Sequence, residues 1–260
     1  MAKLTVIAKA DVLAHDTYQA PRVVTKTLSS SNVGPDGYSL WVCDSQLADG
    51  ATIEWDANHG DDAVYVLSGE LDVTGRRCPP GGAMIVESGA AVMATAIGET
   101  RVVHFGCADP TPPADGLFGP AKTKGHGVHI VGPNGMFQSG EREGVRAIWY
   151  ADSTCDTCRA QLLEVVSPPT KETKGKAHSH SMDEIIYLLE GTIKMGAYHL
   201  EPFTALCVPG GARYALVGGP DGHRFLNFRR DVSEQIYERE SVPLLETGLS
   251  RGGQPANDVR

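Results

Sequence analysis

The sequence predicts an all-β protein made of two copies of one barrel or sandwich unit. Three observations carry this prediction. Short alternating or β-branched apolar runs recur along all 260 residues, 30 Gly and 16 Pro punctuate them, and the chain repeats itself at one fixed offset. In the first half the runs are TIEW (52–55), AVYVLSG (63–69), AMIVE (83–87) and TRVVHFG (100–106). In the second they are AQLLEVV (160–166), IIYLLEG (185–191), TALCVPG (204–210) and HRFLNFR (223–229). No run keeps a helical period over three turns, although VSEQIYERE (232–240) is compatible with a short helix.

The repeat is read by laying YVLSGELDV (65–73) under YLLEGTIKM (187–195), which aligns Gly69 with Gly191, 122 residues apart. The same offset lays AMIVESGAAV (83–92) under ALCVPGGARY (205–214) without a gap. Trp41 and Trp149 mark what read as matching earlier strands, and LTVIA (4–8) resembles VHIVG (128–132). The Pro- and Gly-rich stretch 108–125 reads as the linker, which divides the chain into units 1–115 and 116–260. The tail 247–260 lacks apolar content and reads as extended or loose.

Composition narrows the function classes. Hydrophobic residues are 41% and charged ones 21%, the balance of a chain that buries a core. With a formal charge of −9 and no basic run, nucleic acid is not an expected partner. No apolar stretch approaches the ~20 residues of a membrane-spanning helix. The N-terminus reads as a first strand and not as a signal peptide, so a cytoplasmic protein with reduced thiols is expected. Cys155 and Cys158 form a CxxC without a second pair, and the simplest reading is two thiols near a strand start. His126, His129 and His199 receive no role.

One stretch carries chemistry. In GKAHSHSMDEIIYLLEG (175–191), His178 and His180 lie two residues apart and so share one face of a strand. Ser181-Met182-Asp183 has the length of a hairpin turn, after which Glu184 points back toward both imidazoles. Two His and one carboxylate on one side of an ion leave positions open for substrate or oxygen. The alternative is a polar hairpin end.

Gly175, His178, His180, Glu184 and Gly191 resemble the first motif of the cupin family, and Val208-Pro209-Gly210-Gly211 the PxG of its second. With the duplication, the chain resembles a bicupin: two tandem double-stranded β-helix (jelly-roll) barrels with few short helices. The resemblance implies one divalent transition metal in the C-terminal barrel, Fe(II) or Mn(II) favoured, with Ni(II), Zn(II) or Cu(II) also compatible. His178, His180 and Glu184 would be its ligands. Where the family has a further His after PxG, this chain has Tyr214, which can ligate as a phenolate, stand in the pocket as an acid or hydrogen-bond donor, or be an aromatic core residue; His223, sharing a strand face with Asn227, is the second candidate for that place. In the N-terminal half Asp56, Asn58 and Asp62 replace the ligands, and Glu87 and Val92 occupy the second-motif positions, so that barrel is expected to be structural.

The implied function is a metal-dependent enzyme acting on a small oxygen-rich metabolite, with dioxygenase chemistry the first choice. Lyase, isomerase or aminohydrolase chemistry, or a non-catalytic ligand-binding module, are the alternatives. A homo-oligomer, by default a dimer, is the expected assembly. No basic group could be placed as a substrate clamp.

Overall fold

The computed structural model describes residues 4–8, 15–16, 23–29, 38–109, 127–142, 144–169, 175–237 and 241–243. All strand pairings among them are antiparallel, and no helix occurs among the described residues. The strands form two large sheets and a small third one. In the C-terminal sheet, Glu184–Met195 lies between Thr204–Val208 and Val217–Arg229, followed outward by Gln161–Ser167, Val145–Asp152 and Phe137–Arg142. The N-terminal sheet repeats this: Asp62–Val73 lies between Ala83–Val86 and Val92–Cys107, followed by Leu40–Leu47, Val23–Ser29 and His15–Asp16. This is the all-β tandem jelly-roll fold that the repeat predicts.

The apolar runs look continuous because both of their faces are buried. Along Glu184–Met195, Ile186 and Leu188 point into the C-terminal barrel. Ile185, Tyr187 and Leu189 point into a core that the two halves share. In the first half, Val64 and Val66 fill their own barrel, while Ala63 and Tyr65 join the shared core. Phe105 and Phe228 stack across that core with ring centroids 5.4 Å apart.

Two buried carboxylates clamp the halves reciprocally. Tyr187 donates to Asp44 Oδ2 at 2.8 Å, and Arg101 holds the same carboxylate at 2.6 and 2.9 Å. Tyr65 donates to Glu164 Oε2 at 2.9 Å, and Arg224 holds Glu164 at 2.8 Å.

The aligned glycines are explained by close approach. Gly69 and Gly191 both adopt φ in the left-handed region, at 72° and 74°. A Cβ on Gly191 would lie 2.0 Å from the Gly222 carbonyl oxygen, and one on Gly69 would lie 2.3 Å from Thr100 Oγ1. Each sits beside a register shift that bends the long strand around its barrel.

Three expectations are corrected. The halves exchange strands: Thr5–Ala8 pairs with Thr204–Val208 in the C-terminal sheet, and Val128–Val131 pairs with Ala83–Val86 in the N-terminal one. The division at 1–115 and 116–260 therefore does not follow the hydrogen bonding, because each outer strand completes the other half's sheet. Trp41 and Trp149 stand on non-equivalent strands. The counterpart of Leu40–Leu47 is Gln161–Ser167, as each pairs with the last strand of its barrel, whereas Trp149 belongs to the next strand out. Finally, Glu234–Ile236 within the suspected short helix is a strand, because its backbone pairs with Ser179–His180. The linker residues 110–125 and the tail 247–260 lie outside the described residues.

Candidate functional site

The HxH strand is short. Ser179–His180 pairs with Glu234–Ile236, and the turn that follows leads into Glu184 at the head of the inner strand Glu184–Met195. The Pro209-Gly210-Gly211 turn braces that hairpin. Gly210 N donates to Asp183 Oδ1 at 2.8 Å and Gly211 N to the His180 carbonyl at 2.7 Å. A Cβ on Gly210 would meet the Ser181 carbonyl oxygen at 2.7 Å, so only glycine permits this contact. Both motifs thus form one unit.

Glu184 is fully buried. Its Oε1 accepts from the Tyr214 hydroxyl, and its Oε2 accepts from Asn227 Nδ2 at 2.8 Å and from Arg229 Nη2. Tyr38, from the N-terminal half, donates to the Glu184 backbone carbonyl at 2.5 Å. Burial pushes the Glu184 carboxyl up, but Arg229, His180, Asn227 and Tyr214 outweigh it and hold the group at about 2. It is a carboxylate near neutral pH.

His180 is buried beside it, with Nε2 3.8 Å from Glu184 Oε2 and 3.2 Å from Arg229 Nη2. Burial lowers its pKa to about 3, so it is neutral, and its contact with a guanidinium places the lone pair on Nε2. His178 packs edge-on to His180, ring centroids 5.0 Å apart. Its Nδ1 lies 2.8 Å from the Lys176 carbonyl, an acceptor, which leaves the Nε2 lone pair free. Tyr214 is paired by backbone with His178 and packs on it at 4.7 Å. Burial, and then Glu184, push its hydroxyl well above the ordinary tyrosine range, so it is a neutral donor and not a phenolate.

The donor types here, two imidazoles and an ionised carboxylate, are those that a divalent cation takes. Between His180 and Glu184 lies a single position that favours positive charge. Here Arg229 Nη2 holds it.

The structure therefore groups His180, Glu184 and Tyr214, packs His178 against His180 and Tyr214, and leaves out His223. His223 pairs with Gly191 and stacks on Phe225 in the middle of its strand. It lies six residues from Arg229, roughly 20 Å along an extended chain. The correction follows from strand length: Val217–Arg229 has 13 residues, and only its last few reach the site.

The group that sequence reading missed is Arg229. The alternation that set Asn227 on one face with His223 continues two residues further to Arg229, so the signal was present. Arg229 is 3% exposed. Its Nε and Nη1, like Asn227 Oδ1, have no hydrogen-bond partner among the described residues.

The equivalent place in the N-terminal barrel is filled. Asp62, 122 residues before Glu184, accepts from Trp55 Nε1 at 2.9 Å and lies 3.3 Å from His104 Nε2. Trp41 and Trp55 both pack edge-on to His104. Cys107 stands at the position of Arg229, so neither the imidazole pair nor the cation recurs at the equivalent positions.

No protein-family profile and no curated protein matches this chain. Solved structures do. A glyoxylate-induced protein of Pseudomonas aeruginosa, itself assigned only provisionally, superposes with a TM-score of 0.68 at 16% identity, covering 88% of this chain and 91% of its own. A variant of Bacillus subtilis oxalate decarboxylase superposes with a TM-score of 0.64 at 16% identity, covering 94% and 80%. Another structure of that decarboxylase, characterised for its Mn(II) centres, gives 0.63 at 16% identity, covering 94% and 80%. At this identity the likeness is one of fold, and the fold is the tandem cupin.

Proposed function

We propose, on the premise of the tandem cupin fold, that this chain is a metal-dependent enzyme whose C-terminal barrel acts on a small, oxygen-rich metabolite carrying a carboxylate. One observation carries the reading: neutral His180 and ionised Glu184 converge on one cation position, beside a buried guanidinium with two donors unused. His178, His180 and Glu184 would hold the metal. The manganese of the oxalate decarboxylase that shares this fold supports Mn(II), with Fe(II) next.

Bound there, a divalent transition metal supplies a Lewis acid and, for Fe(II) or Mn(II), access to O2. The chain's own residues do the rest. Arg229 gives up its place between His180 and Glu184 and turns its guanidinium to the substrate carboxylate, which Nη2 together with Nε or with Nη1 would hold through two parallel donors. Tyr214 keeps its proton and is placed to hold or deliver it beside Glu184. Asn227 keeps Glu184 oriented. The pairing of Ser179–His180 with Glu234–Ile236 fixes the short strand that carries His180.

The test compares wild type with His180→Ala, each purified untagged. The expected result is about one Mn or Fe per chain in the wild type that is absent from the variant. Oxalate and related small acids are then assayed for CO2 release and oxygen uptake. Uptake of O2 marks the dioxygenase class first expected from the sequence; CO2 release without it marks non-oxidative chemistry. Equal Mn and Fe content in both proteins, with neither activity, overturns the enzyme reading.

The position of Arg229 favours a second reading, in which the guanidinium permanently replaces the metal and the barrel binds a small anion without turning it over. Calorimetric binding of oxalate by metal-free wild type, abolished in Arg229→Met, would mark that case. We carry forward a homodimer, supported by the unpaired outer edge of Phe137–Arg142 among the described residues. The six cysteines, none of them in a disulfide, support a reducing compartment.

A further inference from the structure

The CxxC left without a role is not alone in the folded chain. Cys155 and Cys158 lie in the turn between Val145–Asp152 and Gln161–Ser167 of the C-terminal sheet. Facing them are Glu87, at the end of Ala83–Val86, and His129, on the exchanged strand Val128–Val131 that pairs with it. One ligand atom from each of these four side chains lies within 4.8 Å of every other. We propose that Glu87, His129, Cys155 and Cys158 form a four-ligand zinc site that staples the N-terminal sheet to the C-terminal one.

The donor set is that of tetrahedral zinc, which takes thiolate, imidazole and carboxylate at about 2.0–2.3 Å. Such bonds place neighbouring donors roughly 3.3–3.8 Å apart. Here His129 Nε2 and Glu87 Oε1 lie at 2.6 Å, so they open slightly on binding, while the widest pairs close by up to about 1 Å. Two thiolates and a softer nitrogen favour zinc over manganese or magnesium, which distinguishes this site from the His178–His180–Glu184 position.

The surroundings are already arranged as an outer shell. Glu87 Oε2 accepts from Gly127 N at 2.7 Å, and Glu87 Oε1 also accepts from the Thr157 hydroxyl. Arg159, which is buried, spans the turn by donating Nη1 to the carbonyls of Cys155 and of Cys158, the latter at 3.1 Å. Asp61 ties both halves, accepting from Ser88 N at 2.7 Å and from Arg159 N at 2.5 Å. Fixed backbones on both sides present the ligands before any ion arrives. Cys155 is the more readily ionised thiol: burial acts to raise its pKa, but bonds from Thr157 and Cys158 outweigh it. Burial raises Cys158. A cavity of 510 Å³ lined by His129, Cys155 and Cys158 provides the entry path.

The experiment uses the full chain, reduced and stripped of metal, titrated with Co2+ as a spectroscopic stand-in. Wild type is expected to show thiolate-to-cobalt charge transfer and tetrahedral d–d bands at one ion per chain. His180→Ala should leave those bands unchanged, which separates this site from the cupin position. His129→Ala, a half-exposed side chain whose loss the fold tolerates, should weaken cobalt and zinc binding by more than about 100-fold, beyond what an outer-shell partner costs. Alkylation of native wild type with and without Zn2+ gives a readout free of mutation: protection mapped to Cys155 and Cys158 supports the staple. Absence of charge transfer, bands unaffected by His129→Ala, or no protection of the two thiols overturns it.

Discussion

Arg229 donates to the fully buried Glu184 carboxylate while its Nη2 also lies 3.2 Å from His180, so one guanidinium occupies the position that two potential metal ligands share. Removing one partner of a buried ion pair strands the other's charge, which typically costs about 3–5 kcal/mol. Arg229→Met is expected to destabilise metal-free protein by that amount, and Arg229→Met/Glu184→Gln to recover most of it. Denaturant unfolding of the two single variants and the double variant checks this. If metal displaces Arg229, as we propose, Mn(II) should restore much of the Arg229→Met loss.

Gly191→Ala places a methyl 2.0 Å from the Gly222 carbonyl oxygen at φ 74°. The expected cost is about 2–4 kcal/mol, combining backbone strain and collision. Gly196 has φ 57° with nothing within 4 Å of its Cβ, so Gly196→Ala should cost only about 1–2 kcal/mol. Thermal unfolding of the pair separates space from conformation.

Asp231 is buried, with Oδ2 unpaired among the described residues. Burial raises its pKa from 3.8 to about 6, although Val232 N and Arg159 pull the other way. Between those two values the folded state binds more protons than the unfolded one, so this group's contribution to stability rises as pH falls from about 6 to 4. Near pH 7.5 it is destabilising, and Asp231→Asn should stabilise by about 1–3 kcal/mol. The advantage of the variant should vanish by about pH 4, as melting temperatures across that range will show.

Tyr187 reaches across the shared core to Asp44, which Arg101 continues to hold when the hydroxyl is removed. Tyr187→Phe is therefore expected to cost about 1 kcal/mol, the net worth of one hydrogen bond whose acceptor stays paired. Equilibrium unfolding checks the value, and a loss above about 3 kcal/mol would mean that Tyr187 supports more than this contact.

The all-β architecture, the duplication, and the grouping of His178, His180 and Glu184 in one barrel were determined by the sequence itself. These rest on short-range geometry: a strand period of two, a turn of three residues, and a fixed offset between repeats. The aligned glycines belong to the same class, since each is needed where its own strand bends. Tertiary structure alone decided the rest. Arg229 meets Glu184 because their strands pair across 45 residues, and buried pairing leaves no mark on local pattern beyond alternation. The exchange of Thr5–Ala8 and Val128–Val131 was equally hidden, as the two strands resemble each other enough to fit either sheet. Glu87, His129, Cys155 and Cys158 come from separate turns and strands of both halves. Each reads alone as an ordinary polar or thiol residue, and only the packing of one sheet against the other gathers them around one point.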